Sequence, residues 1–151
     1  MAKTLSNAAI RAGMKRRLAA LTPEHARRWG VMPVGGMLCH LDDSYRAVMG
    51  EHPLSAASLN VPHWLAKLVG LHLPLHWRPG LPTVASLRQG AGGTPPTEFE
   101  QDRQRLQATL ARFCTCSTLI AEHPFFGRMT RGDWMRWGYR HGDHHLRQFS
   151  A

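Results

Sequence analysis

Thr130-Arg131-Gly132-Asp133-Trp134-Met135-Arg136-Trp137-Gly138-Tyr139-Arg140-His141-Gly142-Asp143-His144-His145-Leu146-Arg147-Gln148 is the stretch on which the reading of this chain turns. Thr130 with Asp133 three residues later approximates a capping box, Asp replacing the usual Glu or Gln, and starts a helix at about Arg131. Trp134, Trp137 and Leu146 are its candidate core residues. His141 and His145 stand four apart, on one face and one turn apart. That spacing lets both imidazoles reach one ion at the roughly 2.0–2.1 Å of a zinc–nitrogen bond. His141 with His144, three apart, is the weaker pair, because one of two adjacent histidines must turn away. A histidine pair at this spacing is by itself a weak signal, since many simply lie on a solvated surface.

Working back from this helix, His123-Pro124-Phe125-Phe126-Gly127 reads as a turn set by Pro and Gly, its phenylalanines covering the end of the helices. Before it, Thr97 caps a long helix with Glu98 and Glu100 in the first turn, and Phe99, Leu106, Leu110, Phe113 and Leu119 carry its apolar face to about Ala121. Residues 50–96 differ in character, with seven of the ten prolines and the run Gly90-Ala91-Gly92-Gly93. Only Val61 to Leu73, with Pro62 in its first turn, reads there as a short helix. Further back, the spacing predicts helices over about Val34–Met49, Thr22–Trp29 and Ser6–Leu21. No strand-like alternation or internal repeat is visible. The reading is one all-α domain over residues 1–151: a four-helix bundle with a long crossover between its second and third main helices.

Composition bounds the function. A chain of 151 residues suits one core. It contains no apolar run near the roughly 18–20 residues that span a bilayer, and no signal-peptide pattern at its start, so the cytoplasm is the expected compartment and no membrane partner is expected. Cys39, Cys114 and Cys116 are an odd set better read as free thiols than as disulfides. A net charge of +9 raises the question of nucleic acid. The basic residues are spread along the chain, however, with clusters only at Lys15-Arg16-Arg17 and Arg27-Arg28, so a solvated basic face is the preferred reading. A basic nucleic-acid-binding module remains the lesser alternative.

A third metal ligand must come from another helix, and His40 is the candidate. It lies in the apolar run Met37-Leu38-Cys39-His40-Leu41, where a buried imidazole needs a hydrogen-bond partner or a metal. A simple bond to a backbone carbonyl is the competing explanation. Asp43, nearly one turn on, either orients an imidazole as an outer carboxylate or faces solvent. Ser44, His144 and Gln148 are candidates for supporting the ligands or touching substrate. His25, His52, His63, His72 and His76 are assigned no role.

Several segments together carry a resemblance: Trp29-Gly30, Met37 to Ser44, His123-Pro124-Phe125-Phe126-Gly127, and Trp137 to Phe149, which ends in His-x-x-His-His-Leu-Arg-Gln-Phe. Across nearly its whole length the chain is similar to a small bacterial branch of the DinB-like superfamily of damage-inducible proteins. That resemblance implies a four-helix bundle, and a metal triad of one histidine on the second helix and a His-x-x-x-His pair on the last, here His40, His141 and His145. Characterised relatives include metal-dependent thiol transferases and a thiol-dependent isomerase, and others are classed as hydrolases. The expectation is therefore a divalent metal, zinc or nickel, with a position open to water, to a low-molecular-weight thiol or to a small-molecule substrate. Arg140, Arg147 and Arg78 are the first places to look for contacts to an acidic thiol. Related bundles often pair, so a homodimer is compatible with the reading. A non-catalytic metal-binding stress-response protein is the alternative.

Overall fold

The computed structural model describes residues 3–151. Helices dominate: α1 (Ala8–Ala19), α2 (Val34–Val48), α3 (His63–Lys67), α4 (Phe99–Thr115) and α5 (Arg131–Gln148). A π-helical turn, Leu68–His72, continues α3, and a 3₁₀ turn occupies Ala85–Leu87. One small antiparallel ladder pairs β1 (Glu122–His123) with β2 (Gly127–Arg128), which corrects the expectation that no strand would form. Its cause is local. Gly127, at a positive φ of 64°, helps reverse the chain so tightly that the two ends of the turn pair.

α5 begins as its sequence predicts. The Thr130 hydroxyl accepts from the Asp133 amide at 3.1 Å, and the Asp133 carboxylate accepts from the Thr130 amide at 3.0 Å. α2 is buried on almost every side, all but Gly35 and Arg46, the signature of a central helix. It packs most broadly on α4 and also meets α5, while α1 lies against both α4 and α5. Two small residues on α5 permit this closeness: a Cβ at Gly138 would stand 2.7 Å from Phe113, and one at Gly142 would stand 2.8 Å from Met14. The Tyr45 hydroxyl, buried in the same core, donates to the Gly138 carbonyl at 2.9 Å.

Three sequence expectations shift. α1 starts at Ala8 because the Asn7 side chain accepts from the amides of Ala9 and Ile10. α4 is capped by Glu98, whose carboxylate accepts from the Gln101 amide, while Thr97 donates to Asp102 instead. α4 also stops at Thr115, short of Ala121, and Arg131 satisfies the carbonyls of Cys114 and Cys116. The helix expected over Thr22–Trp29 does not form. That segment is a strap over the end of α5, where the Arg28 amide donates to the Gln148 carbonyl at 2.7 Å. Its few apolar residues offer little burial to reward a helix, so the tertiary bonds prevail.

The connection between α2 and α4 is pinned at a few points. Ser55 and Ser86 exchange amide-to-hydroxyl bonds, and Lys67 pairs with Asp133 at 2.7 Å. Arg140 donates to the carbonyls of Leu73 and Leu75. No helix among the described residues is long and apolar enough to cross a membrane.

Candidate metal centre

α2 carries His40, and α5 carries His141 and His145, to one spot in the interior. The ring centroids of His40 and His141 are 5.1 Å apart, those of His40 and His145 4.8 Å, and those of His141 and His145 5.0 Å. One ring nitrogen from each lies within 4.8 Å of the others. The Nε2 atoms of His40 and His141 are 3.1 Å apart. A tetrahedral ion with bonds of roughly 2.0–2.1 Å holds its ligand nitrogens about 3.3 Å from one another. The cluster therefore has the dimensions of a site for one ion.

Hydrogen bonds set which nitrogen faces inward. His40 Nδ1 donates to the Leu87 carbonyl at 2.9 Å, and His145 Nδ1 donates to the Gln148 side-chain carbonyl at 2.9 Å. Gln148 is itself oriented, because its amide NH₂ donates to the Trp29 carbonyl at 2.9 Å. Both partners are acceptors, so each Nδ1 carries the proton and each Nε2 keeps a lone pair, the arrangement that serves metal-binding histidines. The Trp29-Gly30 pair has a physical role here. Gly30 sits at φ 76°, and a Cβ there would come within 3.0 Å of the Gln148 amide.

His141 is held differently. Its Nδ1 is buried without a hydrogen-bond partner, and its ring packs between Trp137 and Trp77, 5.0 and 5.9 Å away by centroid. Two facing Nε2 lone pairs at 3.1 Å repel unless a proton or a cation lies between them. Burial drives all three imidazole pKa values below the ordinary histidine range. For His141 the neighbouring His145 and His40 add to it; for His145, His40 adds to it; for His40, the Leu87 carbonyl and Asp43 partly oppose it. The rings are thus neutral at pH 7, the form that coordinates metals.

The remaining candidates divide. Gln148 supports His145 directly. Asp43 neither faces solvent nor bonds any of the three clustered imidazoles: wholly buried, it accepts from the Thr94 amide and hydroxyl, both at 2.7 Å, and meets the His52 ring at 3.5 Å, and so ties the connection to α2. The nearer Leu87 carbonyl takes the partner role at His40 that Asp43 was a candidate for. Ser44 reaches the cavity wall, but its hydroxyl donates to the His40 carbonyl at 2.6 Å. His144 also lines the cavity, with a buried Nδ1 lacking a partner. Of the arginines considered for an acidic thiol, Arg78 lies at the cavity mouth. Arg140 anchors the connection and Arg147 bonds Asp143, both in a neighbouring cleft.

A cavity of about 690 Å³ opens onto the three histidines. Its walls include residues to which the sequence pointed weakly or not at all. Trp77 stands over His141, and His123 stacks on Phe126 at 4.5 Å. Burial, with a smaller contribution from His63, pushes the His123 pKa down to about 3. His123 opens the Pro124–Gly127 turn, and its place there and in the segment that carries the resemblance was the signal available for it. Trp77 and Leu87 carried none, because their place depends on how the connection folds back.

The family described as "Protein of unknown function (DUF1569)" matches residues 16–151. No curated protein and no solved structure matches the chain.

Proposed function

The chain belongs to the DUF1569 family, and we propose that it is a metal-dependent enzyme, of thiol-transferase or hydrolase type, acting through His40, His141 and His145. The observation that carries this reading is the convergence of three neutral imidazoles at a cavity, two of them with their outer nitrogens already hydrogen-bonded. Structural zinc sites are closed by four protein ligands, whereas catalytic sites pair three with an accessible position. A divalent ion with three imidazole ligands supplies Lewis acidity there, lowering the pKa of a coordinated water or thiol. Zinc and nickel both suit this donor set.

The protein's own contribution is to position and to exclude water. Leu87 and Gln148 hold two of the rings, Trp77 and Trp137 hold the third, and the apolar walls keep the surroundings dry. We further read α1, α2, α4 and α5 as the four-helix bundle of the DinB-like superfamily, with residues 49–98 as its crossover. The mutual packing of those helices supports this, as does the position of the histidines on α2 and α5.

The test is elemental analysis of the purified protein, supplemented with zinc or nickel, beside the His141→Ala variant. About one equivalent of metal in the wild type and close to none in the variant is expected. Near-zero metal in both would sink the proposal.

A further inference from the structure

The cavity is built of hydrocarbon. Leu54, Leu65, Val69, Trp77, Leu87 and Phe126 are among its walls. No Asp or Glu lines it among the described residues, and Arg78, exposed at the mouth, is its one cationic side chain when the histidines are neutral. The Ser44 hydroxyl in the wall is already committed to its own helix. The histidine cluster is thus the principal polar feature of an apolar chamber.

A second observation comes from the surface. Val61, Trp64, Leu68, Val69, Leu73, Leu75 and Leu81 are 37–67% exposed, and among the described residues every large exposed hydrophobic except Val31 falls in this one stretch. Val61, Val69, Leu75 and Leu81 also line the cavity. Apolar side chains left in water around the mouth of an apolar chamber mark the path of an apolar ligand.

We propose that the substrate is a small molecule with an alkyl or aryl body, which fills the cavity, and one metal-coordinating head group placed at His40, His141 and His145. This rests on the metal-site reading above. The volume is that of a drug-sized ligand. A thiol with several carboxylates fits these walls poorly, because Arg78 at the mouth is a single counter-charge and the remaining carboxylates would be desolvated unpaired. The other two arginines considered for such a thiol, Arg140 and Arg147, open onto the neighbouring cleft.

The test compares two ligands with one head and different tails, acetohydroxamate and octanohydroxamate, on the zinc-loaded protein. Octanohydroxamate is expected to bind at least about a hundredfold more tightly, as each buried methylene adds to affinity. N-phenylnaphthylamine, a neutral dye that fluoresces in apolar sites, is expected to bind saturably and to be displaced by octanohydroxamate. Val69→Glu, at a partly exposed wall position, should weaken dye and octanohydroxamate binding at least about tenfold. Acetohydroxamate binding and zinc content should not change. Zinc loading with no dependence on tail length would overturn this inference and leave the metal reading standing. Failure to load zinc, with dye binding still saturable and weakened by Val69→Glu, would uphold the apolar body and refute the metal reading.

Discussion

α5 and the connection over residues 49–98 build the same site by opposite means. α5 is regular from a capped start to its last residue, and the helical repeat alone sets His141 and His145 side by side. The connection holds only a short helix, a π turn and a 3₁₀ turn, and it leaves much of its hydrocarbon exposed. Yet it supplies the Leu87 carbonyl that sets the His40 tautomer and the Trp77 ring over His141. Regular structure delivers the donor atoms, while irregular chain, fastened at a few polar points, delivers their environment. The second kind of structure is the more easily disturbed, because each fastening serves many residues.

Gly92→Val strikes the connection hardest. A Cβ there would stand 2.6 Å from the Ser86 backbone and 2.8 Å from the Ala85 carbonyl, so the turn carrying Leu87 must move. A cost of about 1–3 kcal/mol is expected, lowering Tm by several degrees, with zinc affinity reduced at least about tenfold. An unchanged melting curve and zinc titration would show that the turn is not coupled to His40. Gln148→Ala makes the matching change on α5: zinc affinity should fall about 10–100-fold with little change in helix content by circular dichroism. If only Gly92→Val lowers affinity, the support for the metal comes from the connection alone.

The smallest change at neutral pH is expected at His123. The folded-state pKa of His123 is depressed to about 3, chiefly by burial, so below the unfolded value of about 6.5 the unfolded chain takes up a proton that the native protein refuses. Stability therefore falls as pH drops from about 6.5 toward 3, and is unaffected by this group above that window. His123→Phe keeps the stacking on Phe126 but gives up the bond that Nδ1 accepts from the Phe125 amide. The variant should lose about 1 kcal/mol at pH 7 and show a shallower decline on acidification, read by urea unfolding at several pH values. A decline as steep as the wild type's would assign the acid sensitivity to other buried groups, including the histidine cluster.

Much of this was legible in the chain because it is local. The Thr130–Asp133 cap, the His141–His145 spacing and the apolar face of α2 each need only a turn or two of helix to be read. Helix ends were less legible: Glu98 rather than Thr97 caps α4 because Thr97 is drawn to Asp102. The segment from Thr22 to Trp29 misled for the same reason, since its end, Arg28 and Trp29, bonds Gln148, more than a hundred residues away. His40 was recognisable as a buried histidine but not, from its own surroundings, as a partner of α5. Its link to His141 and His145 came only through the resemblance of the whole chain to a family.

By itself the sequence determined a mostly helical protein with two histidines on one face of its last helix, because helical periodicity and caps act over a few residues. Only the tertiary structure decided that His40 meets them, that Leu87 and Gln148 orient two of the rings, and that Asp43 fastens a loop. It also decided that the proline-rich connection walls an apolar cavity. Those outcomes depend on which surfaces pack and which distant hydrogen-bond partners that packing brings within reach. No pattern within a single helix encodes either.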